Sequence, residues 1–184
     1  MRYAVAMNTG FARWVASLAL ACVLPACAET GNVTPNGFIV ILRDEVKAPP
    51  ADLWRALTQL PRWWSGGHTY SGEPSNLSLD VQAGGCWCER WGDGNAVEHG
   101  RVVQVQPGRM LRLYANLGPL QELPVHGVLT FTIAMQESKT ILRWTYRVSG
   151  PPDAGLDKLA PLVEGMLAEQ FKRVRSLAES GRPE

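Results

Sequence analysis

Histidine is scarce in this sequence. Three occur in 184 residues, His68, His99 and His126, and none belongs to an H-E-x-x-H metal-binding helix. The chain also lacks a glycine-rich phosphate cradle, a dinucleotide fingerprint and a Ser–His–Asp pattern. These absences weigh against an enzyme built on a metal, a nucleotide or a hydrolytic triad, and no cofactor is expected. Net charge is nearly absent too, with 18 basic residues against 17 acidic. That balance gives no basis for nucleic-acid binding. The apolar runs are too short for a comfortable membrane span. Cysteine is sparse, with four in all, and Cys22 and Cys27 lie in the N-terminal segment discussed next. A domain left with only Cys86 and Cys88 is not a disulfide scaffold.

What is present begins with residues 1–28, which read as a secretion signal. Arg2 and Arg13 are their only charges, Trp14 to Leu24 is an apolar core, and Ala26-Cys27-Ala28 is an A-x-A-like cleavage site. Leu24-Pro25-Ala26-Cys27 also resembles a lipobox, so a lipid anchor at Cys27 is the alternative to cleavage. The expected location is the bacterial periplasm or cell envelope. Residues 29–36 are polar and read as a linker, and residues 37–180 as one domain.

Within that domain the apolar period is two along most of the chain and 3.6 at its end. Gly37 to Lys47 reads as a strand. Two short helices follow, near Pro50 to Leu57 and Leu60 to Trp64. Six strands come next: Leu77–Val81, Cys86–Trp91, Val97–Gln106, Met110–Ala115, Val128–Met135 and Thr140–Val148. Turn-rich separators make them antiparallel hairpins. Residues 116–127 read as a mobile flap over one end of the sheet. The last stretch carries apolar residues on one helical face from Leu156 to Leu177. Pro161 places the start of its long helix at about that residue, after a separate short turn.

This order resembles the helix-grip fold of the START and birch-pollen-allergen superfamily, SRPBCC. More narrowly it is similar to homologues of the activator of the heat-shock-protein ATPase. The matching stretches are Val46 to Leu57, Trp63-Trp64, Gly84 to Glu89, Gly100 to Val103 with Pro107 to Leu111, and Thr140 to Tyr146. The resemblance implies an α+β fold in which a curved seven-stranded antiparallel sheet grips the C-terminal helix, with a hydrophobic cavity between them.

The candidate site follows from strand register. A two-residue turn at Asp93-Gly94 sets Trp87 opposite Gly100, Cys88 opposite His99 and Glu89 opposite Glu98. A turn at Pro107-Gly108 sets Val102 near Leu113 and Gln104 near Leu111. One face then carries Trp87, Glu89, Trp91, Glu98, Val102, Leu111 and Leu113. Opposed Glu89 and Glu98 on a cavity wall would form an acid–base pair, or sit on the solvent face. Cys86, Cys88 and His99 are candidate ligands for a soft metal; alternatively the two cysteines are a reversible redox pair, or two small semi-buried side chains. Their Cα spacing of about 6.5–7 Å on a strand is at or beyond the reach of an unstrained disulfide. Ligand contacts are expected from Trp63, Trp64, Trp87, Trp91, Leu113, Phe131, Trp144, Tyr146, Gly165 and Met166. The less bulky part of the helix, at Gly165 and Met166, is the expected cavity wall. His68 and His126, in loops, are expected to be solvated.

The leading expectation is an exported protein that binds a small hydrophobic or aromatic molecule. A cofactor-independent cyclase or hydrolase using Glu89 and Glu98 is the alternative. A co-chaperone role, implied by the resemblance, fits an exported protein poorly.

Overall fold

The computed structural model describes residues 27–184. The signal reading falls on residues outside these, except Cys27 and Ala28.

Among the described residues eight strands form one antiparallel sheet: β1 Cys27–Thr34, β2 Gly37–Val46, β3 Leu77–Leu79, β4 Cys86–Trp91, β5 Asn95–Gln106, β6 Met110–Ala115, β7 His126–Gln136 and β8 Lys139–Ser149. Their order across the sheet is β1-β2-β8-β7-β6-β5-β4-β3. Two α-helices complete the described fold, α1 Pro50–Thr58 and α2 Leu156–Ser180. This is the helix-grip architecture, with one strand more than expected. The addition is β1, in the segment read as a linker. Its backbone pairs with β2 from Cys27↔Arg43 to Thr34↔Gly37. The Pro35 carbonyl also accepts a hydrogen bond from Leu156 N, tying this segment to the first residue of α2. Polar composition concealed it because an edge strand needs only one apolar face.

Alternation decides which way each strand faces. In β2, Phe38, Val40 and Leu42 are buried against the helices, while Arg43 is exposed. In β7 and β8, Leu129, Phe131 and Ile133 meet Tyr146, Trp144 and Leu142 across the ladder, all buried. α1 starts with Pro50 in its first turn, where a missing N–H costs nothing, and buries Leu53, Ala56 and Leu57.

α2 is one continuous helix rather than a turn followed by a helix at Pro161. It begins at Leu156, five residues earlier than expected. Pro161 removes one hydrogen bond near the N-terminus, but Leu156 and Ala160 are fully buried beside it and hold that turn in place. The helix packs on α1 and on β1, β2 and β8. It therefore covers one side of the sheet's inner face. The side formed by β4, β5 and β6 is covered by the loop after α1 and by residues 116–127.

That last segment is anchored. Leu117 and Leu120 are buried. Asn116 spans the base of the loop, donating to the Val125 carbonyl and accepting from Gly127 N. Gly127 has no room for a side chain, since a Cβ there would lie 2.1 Å from the Ala115 carbonyl oxygen and 2.7 Å from the Tyr146 hydroxyl.

Candidate functional site

The site is built where β5 breaks its regular pairing. Trp91 pairs with Asn95, so the β4–β5 loop is the three residues Gly92-Asp93-Gly94 rather than two. This shifts the register by one: Glu89 faces Val97, and Cys88 faces Glu98. A β-bulge at His99 then absorbs one extra residue of β5, and Trp87 pairs with Gly100 after all. The next hairpin repeats the pattern. Its loop is Pro107-Gly108-Arg109, Gln104 pairs with Arg112 instead of lying near Leu111, and a bulge at Val103 restores Val102↔Leu113.

The consequence for the candidate carboxylates is direct. Glu98 is turned to the outer face, exposed, and paired with Arg101. Glu89 points inward and is fully buried. The Glu89–Glu98 acid–base pair is therefore overturned, and the partner of Glu89 is His99. The imidazole Nε2 lies 2.8 Å from Glu89 Oε2, and His99 is 4% exposed. Two backbone amides complete the carboxylate's shell: Tyr70 N donates to Oε2 at 3.1 Å and Ser71 N to Oε1 at 2.6 Å. Burial pushes the Glu89 carboxyl up, but the hydrogen bonds from Ser71, Tyr70 and His99 outweigh it and hold the group below its ordinary range. His99 is lowered, chiefly by burial, against the opposing pull of Glu89.

The thiols are also placed differently from expectation. Cys86 and Cys88 form a disulfide, with Cα atoms 5.4 Å apart. β4 is contracted there relative to an extended strand, opposite the bulge. The cysteines face outward while His99 faces inward, so the three do not assemble as a metal site. Among the described residues no group of three His, Cys, Asp or Glu side chains is placed to hold a metal.

Beside His99 lies a cavity of about 750 Å³. Its apolar wall comes from Trp64, from Leu117, Pro119 and Leu120 of the 116–127 loop, and from Leu159, Leu162, Val163 and Met166 of α2. Tyr70, His68 and Glu122 stand at its polar edge, and among the described residues no Lys or Arg lines it. Tyr70 is half exposed, and its hydroxyl lies 3.1 Å from Gln121 Oε1, joining the two covering loops. His99 also borders a smaller polar recess of about 340 Å³ that includes Gly100, Asn116 and Gln121.

Of the ten residues expected to contact ligand, Trp64 and Met166 line this cavity. Trp63, Trp87, Leu113, Phe131, Trp144 and Tyr146 are buried in the core instead. Trp63 packs on Trp144, and Trp64 packs edge-on to Trp87. Both adjacent tryptophans are buried and pack edge-on against each other, ring centroids 5.5 Å apart; their indole N–H groups donate to the Leu57 and His68 carbonyls. Trp91 is half-buried at the far end of β4. Gly165 is exposed, and a Cβ there would meet only open space. The cavity wall is the neighbouring face of α2, one turn either side of Val163. His68 and His126 are exposed, as expected, though His68 also pairs with Glu169 at 3.0 Å. Tyr70, Leu117, Leu120 and Leu159 were not anticipated as wall residues, because loop residues carry no periodic signal.

Known proteins place this geometry in context. No curated protein matches the chain in sequence. Solved structures share its fold. CalU16 from Micromonospora echinospora aligns with a TM-score of 0.57 at 14% identity, covering 88% of each chain. Protein MLL2253 from Mesorhizobium loti aligns with a TM-score of 0.52 at 21% identity, covering 74% of this chain and 95% of the other. A protein from Rhodobacter sphaeroides aligns with a TM-score of 0.56 at 19% identity, covering 82% of this chain and 96% of the other. The sequence model of one family matches residues 41–179, which run from β2 to the end of α2. The chain belongs to that SRPBCC-type family, described as polyketide cyclase / dehydrase and lipid transport.

Proposed function

We propose that this protein is an exported binder of a small hydrophobic or aromatic molecule, held in the cavity between α2, Trp64 and the 116–127 loop. The observation that carries this reading is the cavity itself. Its volume of about 750 Å³ suits one drug-sized ligand, and its wall is apolar with few polar groups. Family membership supports the same reading. Export rests on residues 1–28, with cleavage or a lipid anchor at Cys27 as the two routes. Mass spectrometry of the mature N-terminus distinguishes them, and a chain that retains Met1 in its native host removes both.

The binding test uses the neutral fluorophore N-phenyl-1-naphthylamine. Saturable emission is expected from the wild type. Met166→Trp should abolish it by filling the cavity, whereas Gly165→Trp, on the exposed face, should leave it unchanged. Equal binding by a folded Met166→Trp variant would sink the proposal.

A second reading, a cofactor-independent cyclase or hydrolase, is favoured by the buried Glu89–His99 pair at the cavity edge, which has the form of an oriented base. Hydrolysis of p-nitrophenyl esters should then fall to the uncatalysed rate in His99→Gln. A wild-type rate no higher than the variant's removes this reading.

A further inference from the structure

The Glu89–His99 pair leaves one ring nitrogen for which the described residues supply no side-chain partner. This inference rests on the cavity being the binding site. Backbone N–H groups only donate, so Tyr70 N and Ser71 N fix both Glu89 oxygens as acceptors. The Glu89 carboxyl is held below its ordinary range, so at neutral pH it is an acceptor-only carboxylate, and His99 Nε2 is the donor of the third contact, which places a ring proton on Nε2. In a neutral imidazole the remaining nitrogen, Nδ1, is a bare acceptor. His99 makes no second side-chain hydrogen bond among the described residues, and it borders both the cavity and the adjoining polar recess. Its burial disfavours a second proton.

The surrounding charges point the same way. The nearby carboxylates are Glu89 behind the ring and Glu122 at the edge, and among the described residues no Lys or Arg lies in the wall. An anionic ligand would meet an acceptor and two like charges with no cation to pair with. A purely apolar ligand would leave Nδ1 unbonded in a space it had dried.

We infer that the cavity selects ligands carrying a neutral hydroxyl, an alcohol or a phenol, whose O–H donates to His99 Nδ1, and that it discriminates against carboxylates of the same shape. Glu89 acts as a positioning residue, since it fixes the tautomer without touching ligand.

Three probes of one shape test this: 2-naphthol, naphthalene and 2-naphthoate, each displacing N-phenyl-1-naphthylamine at neutral pH from the wild-type protein. 2-Naphthol is expected to bind about three- to tenfold more tightly than naphthalene, the factor one neutral hydrogen bond provides, with 2-naphthoate weakest. In His99→Leu, the hydroxyl preference should disappear while naphthalene binding persists. A readout free of mutation is the ¹⁵N resonance of His99 Nδ1, which should show an unprotonated nitrogen that shifts with 2-naphthol and not with naphthalene. Equal affinities, tightest binding of the carboxylate, or a protonated Nδ1 overturns the inference. Failure of the fluorophore itself to bind overturns the cavity reading instead.

Discussion

At the scale of single residues, the most consequential group is the His99 imidazole. An unfolded histidine titrates near 6.5, and burial first of all lowers the folded value. Below 6.5 the unfolded chain takes a proton that folded His99 refuses. Stability is therefore fully present above 6.5 and is lost as the pH falls from there through the lowered folded value. Glu89 acts in the same direction at lower pH. Its carboxyl is held below 4.5 in the fold, so its contribution survives above that pH and is lost as pH falls through the folded value. Urea midpoints measured at about pH 7.5, 6 and 5 should decline for the wild type and decline less for His99→Gln. An equal decline in the variant assigns the loss to other groups. Gly127 gives a second prediction. Its missing side chain leaves room for the Ala115 carbonyl and the Tyr146 hydroxyl, which hydrogen-bond to each other at 2.8 Å. Gly127→Ala should lower stability by about 1–3 kcal/mol through overpacking, read as a shift in the urea midpoint.

At the scale of elements, the hairpins explain what the sequence could and could not convey. Strand positions were legible because Phe38 to Leu42 is a short unbroken apolar run, and Leu142, Trp144, Tyr146 and Val148 alternate with polar residues. The inward set Trp87, Val102, Leu111 and Leu113 was legible for the same reason. Gly92-Asp93-Gly94 was not, because those residues suit a two-residue or a three-residue loop equally well. The choice moved Glu98 to the outer face, and no local pattern marks the compensating bulge at His99. The Cys86–Cys88 bond was missed because ideal strand spacing was assumed where β4 is contracted. That bond closes a very short loop, so unfolded-state entropy limits its contribution to about 1–2 kcal/mol. Urea midpoints with and without dithiothreitol should differ by no more than that; a larger difference would make the bond a structural clamp. α2 is fastened unevenly. Its C-terminal half carries Arg175 paired with Asp44, Glu179 accepting from Lys47 N, and Arg173 donating to the Trp63 carbonyl. The half that lines the cavity is held mainly by apolar packing.

At the scale of the whole molecule, the cavity follows from coverage. A helix spanning β1, β2 and β8 leaves the other side of a broad curved sheet to loops. Two loops joined through Tyr70 and Gln121 do not fill that space as a helix would. β1 lies outside the residues matched by the family, yet it covers the edge of β2 and touches α2. Removing residues 27–34 should expose the edge of β2, lower the melting temperature and promote self-association. Unchanged melting and a monodisperse monomer by light scattering would show that strand to be dispensable.

The bulge at His99 has one more consequence, for how such a site is gained or lost. β5 begins pairing with β6 only at Gly100, and Glu98 and Gly100 already oppose Cys88 and Trp87 in consecutive positions. Deleting the codon for His99 would therefore leave a regular ladder with every remaining side chain on its present face. Deleting Val97 or Arg101 would reverse part of a strand. The imidazole is a modular insertion on a frame that is complete without it. A chain lacking His99 should fold with native-like circular dichroism where deletion of a neighbour should not.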